Sequence, residues 1–183
     1  MDFFTIFIIV LGVLVLLVIG LYNSLASGKV AISEAHSGIE VQMKRRADLV
    51  PNLIETVKGY TKHESDVFTK VAEARERMLQ ASNLKEEATA DNALAASLKT
   101  VFAIAESYPE LKASTNFSSL QSELSDIEAK ISYARQFYNN TVKTFNSKIV
   151  TFPNNLLASL FGFKEEQFFD AEEGVEKPVQ VKF

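Results

Sequence analysis

The 183-residue chain contains no cysteine and no tryptophan, and only 7 glycines and 4 prolines. The absence of cysteine excludes disulfides, thiolate metal sites and cysteine nucleophiles, and it leaves the redox compartment undecided. Because glycine and proline are scarce while good helix formers are abundant, the composition favours long helices over many short strands. The formal net charge of -4 argues against nucleic acid as the main partner.

The longest uncharged stretch lies near the N-terminus, at residues 3–21. As a helix it would span about 28 Å, close to the hydrocarbon thickness of a bilayer. A cleaved signal peptide is the alternative, since Ser24-Leu25-Ala26 passes as a cleavage site, but no positively charged segment precedes the run. We therefore predict a retained anchor over residues 1–22 in the cell (inner) membrane, in contact with the lipid bilayer through residues 3–21. Basic residues after the run favour a cytoplasmic location for the rest of the chain.

Apolar residues after the anchor recur three and four positions apart, which is typical of one face of a helix. The first such pattern predicts a helix that leaves the bilayer and continues toward Leu49. Pro51 then predicts a kink or a break, because it lacks an amide donor and disfavours helix at the preceding residue. The next pattern runs from Leu53 to Met78, with Gly59 inside it as a weak point or a place where another helix approaches closely.

Two further helices are predicted downstream. A loop around residues 82–84 precedes the third helix, which ends at Pro109. The fourth helix runs from Phe117 to Ile149, with Asn116 as its N-cap. The sequence thus predicts an all-α protein in which a transmembrane helix precedes an antiparallel four-helix bundle over residues 23–153. Residues 154–183 are predicted to form a tail that packs on the bundle, beginning with a short helix and ending in a segment able to form a strand.

A long motif in the middle of the chain resembles a known family. Its core reads Arg45-Arg46-x-Asp48-Leu49-Val50-Pro51-Asn52-Leu53, and it continues with Val57-Lys58-Gly59-Tyr60 and His63-Glu64. Further matches downstream are Ala74-Arg75, Tyr108-Pro109-x-Leu111-Lys112-Ala113, Asn116-Phe117, Glu128, Ala134-Arg135, Tyr138-Asn139 and Phe145-Asn146. By these residues the chain resembles the LemA family. The resemblance implies a membrane-anchored helical bundle of the bacterial envelope, and it implies no particular reaction.

Motifs for metal binding and catalysis are not found in the sequence. Neither His36 nor His63 follows a glutamate by three positions, as di-metal helical bundles require, and no second histidine completes a His-Glu-x-x-His motif. Phosphate-binding loops and nucleophile motifs are not visible either. The acidic residues near the motif have basic neighbours at helical spacing, which is ordinary ion pairing. We therefore expect no cofactor, no metal and no enzymatic activity.

Charged residues beside the predicted helix seams are interpreted as structural. Arg75, Glu106, Glu128 and Arg135 are predicted to meet between helices and to fix their register. The basic triplet at residues 44–46 lies about 30 Å beyond the anchor if the helix continues, too far for contact with lipid headgroups. Its predicted partners are Asp48 or acidic residues on neighbouring helices.

Three hypotheses for function follow. The first is a scaffold or interaction module without catalytic activity, which forms a homo-oligomer or binds unidentified envelope proteins. The second is a ligand-binding or sensory module with a pocket near Tyr60, His63 and Tyr108, and the third is an enzyme of unrecognised type. The family-motif positions singled out as structural are Arg45, Arg46, Asp48, Pro51, Asn52, Lys58, Gly59, Tyr60, His63, Glu64, Arg75, Tyr108, Pro109, Lys112, Glu128, Arg135, Tyr138 and Asn139.

Overall fold

The computed structural model describes residues 2–61 and 64–169, and every regular element within those ranges is a helix. The helices are α1 (Phe3–Lys58), α2 (Ser65–Gln80), α3 (Leu84–Ala105), α4 (Pro109–Lys112), α5 (Thr115–Val150) and α6 (Asn154–Phe161). The predicted all-α fold with a long apolar N-terminal helix is confirmed. The antiparallel four-helix bundle stays a prediction, and the strand predicted at the C-terminus lies outside the described residues.

Helix α1 continues through Pro51 to Lys58, so the predicted possibility of a break at this proline is wrong. Proline removes the amide donor that would reach the carbonyl four residues earlier, which is the carbonyl of Ala47. Arg75 of α2 donates from Nε to this carbonyl oxygen at 2.8 Å. The side chain of another helix therefore satisfies the acceptor that the proline leaves without its usual partner.

The apolar pattern from Leu53 to Met78 is not one helix, since α1 ends at Lys58 and α2 begins at Ser65. Gly59 lies just after the end of α1, where its low helix propensity helps to stop the helix. A side chain at Gly59 would meet, among the described residues, only carbonyl oxygens of α1 itself, the nearest at 3.4 Å. The structure therefore gives this glycine a role at a helix end, and the predicted close approach of another helix is not found in the described part of the chain.

The loop predicted between the second and third helices is confirmed at residues 81–83. Asn83 caps α3, because its side-chain oxygen accepts a hydrogen bond from the backbone N–H of Glu86 at 3.0 Å. The Glu86 carboxylate in turn accepts from both the backbone N–H and the hydroxyl of Ser82, each at 2.9 Å. These hydrogen bonds lower the pKa of Glu86, as is typical for a carboxylate that closes a helix N-terminus.

The start of the longest downstream helix differs from the prediction. Helix α5 begins at Thr115, so Asn116 lies inside its first turn and is not the N-cap. The hydroxyl of Ser114 accepts from the backbone N–H of Phe117 at 3.5 Å and takes the capping position instead. At the other end, α5 stops at Val150, shortly before Pro153, as the sequence predicts.

The chain divides into two compact units, Met1–Ser37 with Gln136–Phe168 and Gly38–Arg135 with Phe169–Phe183. In the first unit α1 and α5 pack closely at Gly28, where an added Cβ would lie 2.8 Å from the ring of buried Phe145. Helix α6 is the short helix expected at the start of the tail, and its Phe161 ring contacts Tyr22 of α1 with 5.0 Å between centroids, while the packing of the whole tail on the bundle stays a prediction. The apolar run at the start of α1 has no buried side chain among its described residues.

The second unit contains the C-terminal part of α1, the hairpin of α2 and α3, α4 and the N-terminal part of α5. Its apolar core includes Val50, Leu53, Leu94, Leu98 and Ile127, all fully or almost fully buried. Arg46 is the largest fully buried side chain in the described residues, with an exposed fraction of 1%. A charged residue at the centre of an apolar core requires partners, and these partners form the candidate site.

Candidate functional site

A buried carboxylate lies between two guanidinium groups at the centre of the second unit. Arg46 of α1 donates from Nη1 to Oδ1 of Asp91 on α3 at 2.5 Å, and both side chains are only 2% exposed. The second oxygen of Asp91 accepts from Nη2 of Arg135 on α5, also at 2.5 Å. One aspartate thus connects three helices through both of its oxygens.

Two further groups extend this network toward the surface. Glu128 of α5 accepts from Nη2 of Arg46, and its own side chain is 56% exposed. Asn92 accepts from Arg135 through its side-chain oxygen at 3.4 Å. The guanidinium of Arg135 also lies over the ring of Phe169, 4.9 Å from its centroid, and its buried Nε has no hydrogen-bond partner among residues 2–61 and 64–169. We name Arg46, Asp91, Glu128 and Arg135 the ion-pair network.

The electrostatics of the ion-pair network favour a structural role. Burial lowers the pKa of the Arg46 guanidinium, the Asp91 charge raises it, and the like charge of Arg135 lowers it. Arginine nevertheless stays protonated in proteins, so the network holds two positive and two negative charges. A guanidinium donates to each oxygen of Asp91, and the Asp91 side chain is only 2% exposed, so the carboxylate faces its ion-pair partners and not the solvent. The arrangement agrees with the predicted role in helix register, which stays a prediction.

A groove opens beside the network, between α3 and α5, with a volume of about 780 Å³. Leu98 and Phe102 of α3 form an apolar wall, and Ser118 and Ser122 of α5 form a polar one. Arg46 and Glu128 contribute to its lining, so the ion-pair network borders the groove directly. Apolar surface with a few polar groups is the usual composition of a binding site for a small molecule or a protein segment.

Two residues of the basic triplet, Arg45 and Arg46, form ion pairs with acidic residues on neighbouring helices. Arg45 pairs with Glu123 of α5 at 3.0 Å, and Arg46 pairs with Asp91 and Glu128. The predicted pairing with acidic residues of other helices is confirmed by these contacts for Arg45 and Arg46, and it stays a prediction for Lys44. Asp48, the alternative partner, is exposed on α1.

Four charged residues were predicted to meet between helices, and each of them contacts a residue of another helix. Glu128 and Arg135 bind members of the ion-pair network on other helices, and Arg75 reaches the carbonyl of Ala47. Glu106, just after the end of α3, forms an exposed ion pair with Lys112 of α4 at 2.9 Å and takes no part in the ion-pair network. The role of these contacts in setting register stays a prediction.

The pocket predicted near Tyr60, His63 and Tyr108 stays a hypothesis, since His63 lies outside the described residues. Tyr60 is exposed, and the hydroxyl of Tyr108 donates to Glu64 at 3.3 Å. Loss of hydration raises the pKa of the Tyr108 phenol, and the negative charge of Glu64 and its hydrogen bond raise it further. The phenol therefore stays protonated at neutral pH and serves as a hydrogen-bond donor.

The other motif residues lie apart from the ion-pair network. Pro51 and Asn52 are exposed on α1, Lys58 lies 5.7 Å from the ring centroid of Phe68, and Pro109 begins α4. In the first unit, the hydroxyl of buried Tyr138 donates to the backbone oxygen of Gln167 at 2.9 Å, and the adjacent Asn139 is half-buried.

Sequence reasoning missed Asp91, Asn92 and Glu123. A signal for Asp91 exists, because the series Asp91, Leu94, Leu98, Val101 and Ala105 keeps the three-four spacing of a buried helix face. An acidic residue at a buried position of such a series indicates a basic partner on another helix.

A sequence profile described as the LemA family matches residues 35–183, and this match covers the ion-pair network and the motif around it. The chain belongs to the LemA family. Among individual relatives, Protein LemA of Metamycoplasma hominis is 27% identical in an alignment of 175 positions that covers 93% of this chain and 78% of that protein. Magnetosome protein MamQ 2 of Paramagnetospirillum magneticum is 22% identical over 184 residues, covering 86% of this LemA-family chain and 68% of the relative. Magnetosome protein MamQ of Magnetospirillum gryphiswaldense matches with the same identity and coverage.

Proposed function

We propose that this LemA-family protein is a membrane-tethered interaction module, which presents its helical second unit to partner proteins or to further copies of itself. The observation that carries the proposal is the construction of α1. One helix of 56 residues supplies both an exposed apolar run long enough to cross a bilayer and the buried Arg46 of the second unit. The tether and the core of the second unit are therefore parts of the same helix.

The chemistry of the second unit supports binding over reaction. The charges of the ion-pair network neutralise one another, and both oxygens of Asp91 accept from guanidinium groups. The groove between α3 and α5 is bordered by this network and has an open apolar wall. Because the ion-pair network is charge-balanced and borders an open groove, it is suited to holding another molecule in a fixed position in that groove.

The proposal predicts a discrete assembly in the membrane. The full chain, extracted with its native lipids into polymer nanodiscs, should give particles whose protein mass exceeds the 20.3 kDa of one chain by a constant amount. Ser122→Arg should reduce this mass by filling the groove, whereas Ser132→Arg, an exposed change on the same helix outside the groove lining, should not. Mass photometry provides the measurement. Particles that contain one chain and nothing else would contradict the proposal.

A small-molecule ligand is a second candidate occupant, because the volume of the groove falls in the range of ligand sites, about 300–1,000 Å³. Mass spectrometry of the molecules released when the purified full chain is denatured would test this. A compound retained by Ser132→Arg and lost from Ser122→Arg would favour the sensory or ligand-binding function over protein assembly.

We also propose that the second unit lies in the cytoplasm, on the basis of the charges that flank the apolar run. Because the chain has no cysteine, Ala113→Cys introduces a single thiol at an exposed position after α4. A membrane-impermeant maleimide should label it only after the cells are permeabilised, and the permeabilised sample serves as the accessibility control. Labelling in intact cells would place the unit on the outer side and direct the search for partners there.

A further inference from the structure

Helix α6 presents an apolar surface where a soluble helix would be polar. It carries no charged residue, and its sequence is NNLLASLF. Leu156 and Leu160, four residues apart and hence on one face, are 62% and 74% exposed, and Phe152 just before the helix is 79% exposed. Ala158, by contrast, is buried against the protein. The polarity of this helix is thus opposite to that of an ordinary surface helix.

The position of α6 explains this pattern. The Phe161 ring contacts Tyr22 edge to face at 5.0 Å, and the Phe163 ring contacts the same tyrosine at 5.8 Å. Tyr22 follows the apolar run directly, and Leu25, three residues later, is fully buried. In a bilayer-spanning α1, these rings lie at the level where the helix leaves the hydrocarbon. Aromatic rings are enriched at that level because it accommodates both apolar and polar atoms.

Charged groups begin just beyond this level, as an interfacial position requires. Lys148 of α5 lies 3.5 Å from the hydroxyl of Ser24, and Lys29 pairs with Glu166 at 3.5 Å. Lys164 and Glu165, shortly after the end of α6, are both exposed. Basic and acidic groups are nearly balanced here, so attraction to anionic headgroups contributes little. Burial of the exposed leucines and phenylalanine is the main driving force for contact with lipid.

We infer that α6 and the preceding Phe152 lie in the interfacial layer of the bilayer that α1 crosses, as a second membrane contact of the protein. The inference rests on the anchoring of α1 in the proposed function, and it goes beyond it by fixing the first unit against the membrane surface at two points. A second copy of the chain is the alternative occupant of this apolar face.

The test uses single cysteines in the full chain, labelled with the environment-sensitive fluorophore NBD and reconstituted into vesicles of phosphatidylcholine and phosphatidylglycerol. Leu160→Cys reports α6. Phe137→Cys is the matched control, an exposed apolar position eleven residues before Lys148 on α5 and therefore roughly 16 Å further along the helix from the membrane. Leu11→Cys, inside the apolar run, reports the anchor itself.

The label at position 160 should be quenched by brominated lipids and should show a several-fold smaller iodide quenching constant than the label at position 137. If iodide quenches the labels at positions 160 and 137 equally while brominated lipid quenches the label at position 11, the inference is overturned. The anchor in the proposed function would still stand. Protection of position 160 from both quenchers, together with cysteine cross-linking between chains, would assign the surface to a second copy and also overturn it. Absence of lipid quenching at position 11 would show instead that the anchor, and with it the proposed tether, is wrong.

Discussion

Replacement of Asp91 by alanine is expected to lower the free energy of unfolding by about 3–5 kcal/mol, the largest loss predicted for a single residue of this chain. The change removes the only carboxylate in the described residues that contacts both Arg46 and Arg135. Arg46 would then keep only Glu128, whose side chain is largely in solvent. The Arg46 side chain, which is only 2% exposed, would thus lose its buried counterion, and the burial of its charge would no longer be compensated.

Urea denaturation of the full chain in detergent micelles, followed by circular dichroism, measures this loss. Asp126→Ala on α5 is the matched control, because it removes an aspartate from an exposed pair with Lys130 at 2.6 Å. Exposed pairs of this spacing contribute about 0.3–0.5 kcal/mol. Similar losses in the two variants would show that Asp91 does not hold the buried charges together.

A second variant separates the effect of an unpaired charge from the net contribution of the pair. Replacing Arg46 by methionine and Asp91 by leucine together removes both buried charges and keeps apolar volume in the core. Such replacements are often neutral or stabilising in other proteins. We therefore expect the double variant to unfold at a higher urea concentration than Asp91→Ala. If the ion-pair network fixes helix register, the helices of the double variant will no longer pack in one unique register, although the variant stays folded.

The helices were predictable because their apolar residues keep a regular three-four spacing over many turns. The same regularity could have revealed the network as well. Arg46 continues the series Ile39, Met43, Arg46, Val50, Leu53, and Asp91 continues the series of α3 in the same way. Arg46 was predicted to pair with acidic residues of neighbouring helices, whereas Asp91 was overlooked because only apolar residues were sought at the buried positions of α3. The order of residues along one helix cannot identify which acid on another helix meets which base, since that depends on packing.

The errors near Pro51 and Gly59 have a common physical origin. Local propensity predicts interruption at the proline and permits continuation through the glycine, whereas the structure shows the reverse. Tertiary contacts decide the outcome at the proline, because Arg75 of α2 bonds to the carbonyl that the proline leaves free. Pro51 and Arg75, which lie 24 positions apart in the sequence, are therefore expected to depend on each other energetically.

Arg75→Ala is expected to destabilise the full chain by about 1.5–3 kcal/mol, the range for a hydrogen bond from a charged donor. The loss should depend on Pro51. In a Pro51→Ala background the new backbone N–H can bond to Ala47 within the helix, so that the carbonyl no longer needs the arginine. Arg75→Ala should then cost measurably less than it does beside the proline, by about 1 kcal/mol or more. Urea denaturation of the parent, both single variants and the double variant gives this coupling energy.

Arg77→Ala is the matched control on the same helix, since Arg77 forms only an exposed pair with Glu73 at 3.8 Å. Its effect should stay within about 0.5 kcal/mol in either background. If Arg75→Ala lowers the free energy of unfolding equally with and without the proline, the two residues act independently. Arg75 would then stabilise the chain through packing alone. A clear coupling energy would show that the proline and the arginine of this LemA-family motif act together. The arginine on α2 would then be what allows α1 to continue unbroken past the proline.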